Sequence, residues 1–167
     1  MSGRDPAVTS RIMAAVRNRD TKPEIALRRA LWRRGLRYRV RTAIRGKPDI
    51  VFPRARVAVF VDGDFWHGNA WRVRGLPTFE SQFERIANGE FWRDKLTANM
   101  ARDADVTASL TAQGWQVYRV FESRLSGDLT GVALEIEALV RQRQAVTSSS
   151  SSIGTSNRIG GTRGAIG

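Results

Sequence analysis

The sequence predicts an α/β fold, a mixed central sheet flanked by helices. Three observations carry that prediction. Helical periods at residues 21–34, 90–112 and 129–144 alternate with strand-length apolar runs at 49–52, 57–61 and 115–121. Turn-forming Gly and Pro separate these segments. No apolar run reaches the ~18 residues of a membrane-spanning helix.

Residues 10–19 predict a short helix that brings together Ile12, Met13 and Val16. The next helix opens with Thr21 as cap and with Pro23 and Glu24 in its first turn. It runs to about Arg34, buries Leu27 and Leu31, exposes Arg28, Arg29, Arg33 and Arg34, and stops at Gly35. Residues 36–41 alternate strictly, which predicts a half-buried strand with Arg37, Arg39 and Arg41 on its open face. The runs 49–52 and 57–61 read as a hairpin covered on both faces. Residues 68–90 form a long excursion, with a short helix expected near 79–87. The helix over 90–112 brings together Leu96, Met100 and Leu110, and the last helix turns Val132, Ile136, Leu139 and Val140 inward.

From Thr147 to Gly167, 14 of 21 residues are Ser, Gly or Thr, too polar a stretch to offset its ordering entropy. The expected organisation is therefore one domain over residues 1–145 and a flexible tail over 146–167.

The chain carries 28 Lys and Arg against 16 Asp and Glu, a net charge of +12. Residues 1–45 hold 13 basic and 3 acidic side chains, so +10 of that excess lies in the first quarter. Such a surface suits a phosphate backbone, although a solvated basic face gives the same count. The absence of cysteine excludes disulfides, thiolate metal sites and cysteine nucleophiles. The first residues lack the basic-then-apolar pattern of a secretory signal, so a cytoplasmic location and no membrane partner are expected.

Two carboxylates stand at the mouths of apolar strands, Asp49 after Gly46-Lys47-Pro48 and Asp62 at the end of the next run. A hairpin turning over Ala55-Arg56 puts them opposite each other, close enough to share one hard cation such as Mg2+. A one-residue register change separates them, and unpartnered strand-end aspartates are the plainer reading. The only histidine, His67, follows in Asp62-Gly63-Asp64-Phe65-Trp66-His67. It suits general acid–base work, although a lone histidine is more often structural. Phe65 and Trp66 suit stacking against bases, or burial in the core. Phe91-Trp92 opens the later helix, where Asn99 and Asp103 border its apolar stripe and either brace the site or, more plainly, lie exposed at the stripe's edge.

The residues at 21–24, 46–49, 59–67, 90–92, 99–103 and 114–122 together resemble the very-short-patch-repair (Vsr) mismatch endonucleases. The resemblance implies a PD-(D/E)XK nuclease fold with a mixed four-stranded core. It implies an endonuclease that uses Mg2+, with Mn2+ as a possible substitute, to nick one strand of duplex DNA 5′ of a thymine mispaired with guanine. Asp49 matches the principal metal-binding aspartate, Glu24 a glutamate that orders the metal's water shell, and Val61 a carbonyl ligand. Asp62 matches a direct or indirect ligand, and His67 the catalytic base. Phe65, Trp66 and Trp92 match the intercalating aromatics. The resemblance also implies a monomer and downstream repair proteins as partners. Zinc-bearing relatives place Cys and His where this chain has Asp64, Asn69, Trp71 and Ser123, so no structural zinc is expected.

In the resulting mechanism, Arg28, Arg29, Arg33, Arg37, Arg39 and Arg41 bind phosphates beside the cut. Two rival functions share these features. One is a Vsr-like restriction or defence nuclease cutting matched or modified DNA, with its target set by the 68–90 excursion. The other is a non-catalytic DNA-binding module.

Overall fold

A computed structural model describes residues 19–152, with side chains to residue 146. The helix expected over 10–19, apart from Arg19, and the tail beyond Ser152 lie outside the described residues. The elements are α1 (Lys22–Arg33), β1 (Ile50–Phe52), β2 (Val57–Asp62) and α2 (Ala70–Val73), then a 3-10 turn (Glu80–Gln82). There follow α3 (Gly89–Ala112), β3 (Gln116–Phe121), α4 (Glu122–Gly127) and α5 (Leu129–Ser152). β2 lies in the middle of the sheet, antiparallel to β1 and parallel to β3. The parallel pairing needs a long crossover, which α3 supplies.

Alternation along β2 sends side chains into two separate cores. Val57 and Val59 join Ile50, Phe52 and Val120 against Leu27 and Leu31 of α1, Leu125 of α4, and Val132, Ile136 and Val140 of α5. Ala58 and Phe60 face the other way and meet Val106 and Leu110 of α3. This is why β2 reads as an unbroken apolar run. Each fully buried Leu, Ile or Val contributes about 1.5–3 kcal/mol. α1 begins as its sequence requires: Thr21 Oγ1 accepts the Glu24 N–H, and Glu24 Oε2 accepts the Thr21 N–H.

The fourth strand expected over 36–41 is reduced to one bridge, Arg39 with Val51. Extending it one way would need an N–H from Pro53, which has none. In the other direction the Asp49 N–H is taken by the Val59 carbonyl at 3.0 Å, and Arg41 turns away with φ of 56°. The sheet therefore has three strands among the described residues.

The hairpin register also differs from expectation. Ile50 faces Val59 and Phe52 faces Val57, so the turn takes all four residues Pro53 to Arg56. The register moves by two residues, and Asp49 is not directly opposite Asp62. Pro53 ends β1 early, and Arg56, with φ of 51°, closes the turn by donating to the Pro53 carbonyl.

Smaller differences follow from packing. The helix expected at 79–87 is only the 3-10 turn. Met100 lies off the buried stripe of α3 and covers Gly68, where a Cβ would fall 2.4 Å from its sulfur. α4 has no counterpart among the expected elements, and α5 continues to Ser152, past the last apolar period at Gln144. Among the described residues no helix is long and apolar enough to cross a membrane.

Candidate active site

The site forms where β1 begins and β2 ends. Gly46 and Lys47 both adopt positive φ in the turn before β1. A side chain at Gly46 could not be accommodated, because its Cβ would lie 2.4 Å from Val106 of α3. This turn delivers Asp49 to the strand mouth, where its Oδ2 accepts the Val61 N–H at 2.7 Å. Burial pushes the Asp49 carboxyl up to about 6, opposed by the Val61 N–H, and the Glu24 and Asp62 carboxylates push the same way as burial.

Glu24, only 2% exposed, projects from α1 towards this point. One of its oxygens pairs with Arg28 and the other accepts the Thr21 N–H. Arg28 also pairs with Asp20 at 2.6 Å and reaches the Asp49 carbonyl at 3.4 Å. The exposure expected for Arg28 is therefore corrected. It lies between two carboxylates because one helical turn separates it from Glu24. Arg34 is likewise engaged, with Glu137 at 2.5 Å.

Asp62, at the end of β2, holds Arg119 of β3 through both oxygens, each at 2.8 Å. The same guanidinium reaches Asp103 of α3 at 2.9 Å. The other Asp103 oxygen stands 2.5 Å from His67 Nδ1, while Asp62 Oδ1 is 3.7 Å from that nitrogen. With Nδ1–H donated to Asp103, His67 Nε2 carries the free lone pair. Asn99 donates to the Trp66 carbonyl at 3.2 Å and steadies the same loop.

Sequence reasoning leaves Asp103 between bracing the site with Asn99 and plain exposure at the edge of a helical stripe, and it gives Arg119 no role. Asp103 carries a usable signal, since Leu96, Asn99, Asp103, Val106 and Leu110 repeat at three and four residues. The face of α3 that packs on the sheet thus includes two polar positions. Arg119 carries none, because only the pairing of β3 with β2 brings it beside Asp62.

Phe65, Trp66 and Trp92 form one half-buried cluster with centroids 5.1–6.1 Å apart. Phe91 extends it outward and is 59% exposed. The Lys95 ammonium stands 5.4–5.6 Å from the rings of Trp66, Phe91 and Trp92. Arg29, Arg33, Arg37 and Arg39 are exposed beside α1, with Arg37 stacked 3.9 Å over Trp32. Arg41 is exposed but pairs with Asp20 at 3.2 Å.

Asp64 ties the loop after β2 to the start of α4, just beyond the neighbouring end of β3. Its Oδ1 accepts from Asn69 Nδ2 and Ser123 Oγ at 2.6 Å each, and its Oδ2 accepts the Ser123 N–H at 2.9 Å. Trp71 takes no part and instead lies under Arg72, 4.2 Å away.

A family model described as DNA mismatch endonuclease Vsr matches residues 2–73. A type II nicking enzyme of Neisseria meningitidis serogroup C, V.NmeDIP, is 38% identical over 143 residues, which cover 85% of this chain and 92% of the relative. The chain belongs to the Vsr endonuclease family. The type II nicking enzyme V.HpaIIP of Haemophilus parainfluenzae is 36% identical over 78% of this chain and 88% of its own. The DNA mismatch endonuclease Vsr of Escherichia coli K12 is 34% identical over 74% of each chain. As a Vsr endonuclease the protein cleaves DNA, and the non-catalytic reading falls.

Proposed function

We propose that this Vsr endonuclease nicks one strand of duplex DNA 5′ of a thymine mispaired with guanine, as a monomer that uses Mg2+ and tolerates Mn2+. The cluster of Phe65, Trp66 and Trp92 beside the His67 loop is the observation that carries this reading. Opening a base step costs a few kcal/mol, and less at a mispair, so aromatic insertion next to a hydrolytic site selects weakly stacked steps. Repair proteins acting after the nick are the further partners of this reading.

The donor chemistry at Asp49 fits a hard divalent ion. A half-buried carboxylate with a raised pKa gains from a neighbouring cation, and Val61 turns its carbonyl to the side of its N–H, towards Asp49. Asp49 and the Val61 carbonyl would hold Mg2+. No three His, Cys, Asp or Glu side chains could do so among the described residues. Mg2+, when bound, stabilises charge on the phosphate. Both Asp62 oxygens already accept from Arg119, so Asp62 would share in holding it only through a remaining lone pair.

The remaining roles belong to protein groups. His67 Nε2 takes the proton of the attacking water, and Asp103 fixes the ring and stabilises the imidazolium. Glu24 holds Arg28 against the start of β1 and adds negative charge beside Asp49. Arg29, Arg33, Arg37, Arg39 and Arg41 bind flanking phosphates.

The second reading is a restriction-type nickase acting on matched or modified DNA. It is favoured by the type II nicking enzymes among the relatives. End-labelled T:G and T:A duplexes incubated with Mg2+ discriminate the two. A T:G-dependent nick 5′ of the thymine supports the first reading, and equal rates on both duplexes support the second.

A further inference from the structure

We propose that Arg119 is a positioning residue for His67, reserving Asp103 as the sole partner of the imidazole. This rests on the reading of His67 as the base.

Two carboxylates compete at His67 Nδ1, which carries a single hydrogen in the neutral ring. Asp103 Oδ2 is at 2.5 Å and Asp62 Oδ1 at 3.7 Å. Arg119 resolves the competition. Its Nε and Nη2 bind the two oxygens of Asp62, and Nη2 also binds Asp103 Oδ1. This leaves Asp103 Oδ2 as the acceptor for His67.

The guanidinium is itself well held. β3 places Arg119 opposite Phe60 of β2, and its planar head lies 4.7 Å from the Phe60 ring centroid. Asp62 is 5% exposed, so without Arg119 a buried carboxylate loses its cationic partner beside the imidazole. Its strongest available donor is then His67 Nδ1–H. A ring turned to Asp62 no longer presents Nε2 in the direction that Asp103 sets. Lysine cannot reproduce the arrangement, because it lacks the planar fork that spans both oxygens of one carboxylate.

The chain has one histidine, so its imidazole nitrogen resonances need no assignment. The test is 15N-imidazole NMR in metal-free buffer, paired with steady-state nicking, on wild type, Arg119→Met, Arg119→Lys and Arg119→Met/Asp62→Asn. The wild type should show one Nδ1–H tautomer with a strongly hydrogen-bonded proton. Arg119→Met should show a weakened or mixed pattern and a kcat lower by about 10–100-fold, part of the 10²–10⁴ of general-base catalysis, with KM for duplex within twofold. Arg119→Lys should fall between, and it carries the test if the methionine variant does not fold. Asp62→Asn should restore the wild-type tautomer pattern in the double variant by removing the competing charge. An unchanged pattern in both single Arg119 variants overturns the proposal, as does a higher KM with unchanged kcat, or a double variant whose pattern stays altered. His67→Ala separates the two readings. Full nicking by that variant defeats the base assignment, while the NMR comparison still reports whether Arg119 orients the ring.

Discussion

The Asp49 carboxylate accepts the main-chain N–H of Val61 at 2.7 Å, joining the first residue before β1 to the penultimate residue of β2. One acid is thereby fixed at the point where two strand ends meet. Asparagine can accept the same N–H but carries no charge. Asp49→Asn should therefore keep the fold and bind duplex DNA within severalfold of wild type, while nicking with Mg2+ falls by at least ~10³-fold. Single-turnover cleavage and a binding titration on one labelled duplex check this. Wild-type cleavage by the variant would remove Asp49 from the metal-binding role.

The raised pKa of Asp49 has a signed consequence for stability. The unfolded carboxyl titrates near 3.8 and the folded one at about 6, so between these values the folded chain binds more protons. The contribution is complete below about pH 4 and is lost as pH rises through about 6. In metal-free buffer the wild type should lose on the order of 1–3 kcal/mol relative to Asp49→Asn across that window, from ~1.4 kcal/mol per pKa unit. Urea unfolding of both proteins at pH 4 and pH 7 measures the difference. Adding Mg2+ at pH 7 should stabilise the wild type alone; an equal gain in both proteins would place the ion elsewhere.

Trp92 joins α3 to the loop aromatics, with its ring 5.7 Å from Phe65 and 6.1 Å from Trp66. Removing it opens the cluster on the side of the Lys95 ammonium. Trp92→Ala should weaken binding to a T:G duplex by roughly 1–3 kcal/mol, the usual effect of losing a stacking aromatic. Binding to the T:A duplex should change less. Fluorescence of 2-aminopurine beside the mispair reads unstacking directly, and an undiminished signal with the variant would exclude Trp92 from the wedge.

Asp64 makes three hydrogen bonds to Asn69 and Ser123. Asp64→Ala should cost about 2–4 kcal/mol, because it leaves the Ser123 N–H and two side-chain donors without their acceptor. Ser123→Ala should cost about 1 kcal/mol. Chemical denaturation provides both numbers, and a near-neutral Asp64→Ala would show that the loop holds its place without this residue.

Local signals are legible in the amino-acid sequence itself. Thr21, Pro23 and Glu24 announce a helix start because the capping chemistry is complete within four residues. Leu27 and Leu31 point inward by period alone. The hairpin is harder, since its register depends on whether Pro53 belongs to the strand or the turn, and a missing N–H decides this. Residues 36–41 alternate as a strand should, yet the neighbouring edge offers donors for one bridge only. Asp49, His67, Phe65 and Trp66 stand out by type and spacing. Arg119 does not, because its value comes from facing a strand 57 residues away. Arg28 reads as one more basic side chain of a basic helix until Asp20 and Glu24 close around it.

The Asp64 contacts also bear on oxidative damage. The loop carrying Phe65, Trp66 and His67 is fastened by carboxylate, amide, hydroxyl and main-chain groups, none of which peroxide or an alkylating reagent attacks readily. With no thiol anywhere in the chain, this fastening has no reduced state to preserve. The Asp64 fastening itself should therefore need no reductant during purification or assay, and the oxidisable group beside the loop is instead the Met100 sulfur over Gly68.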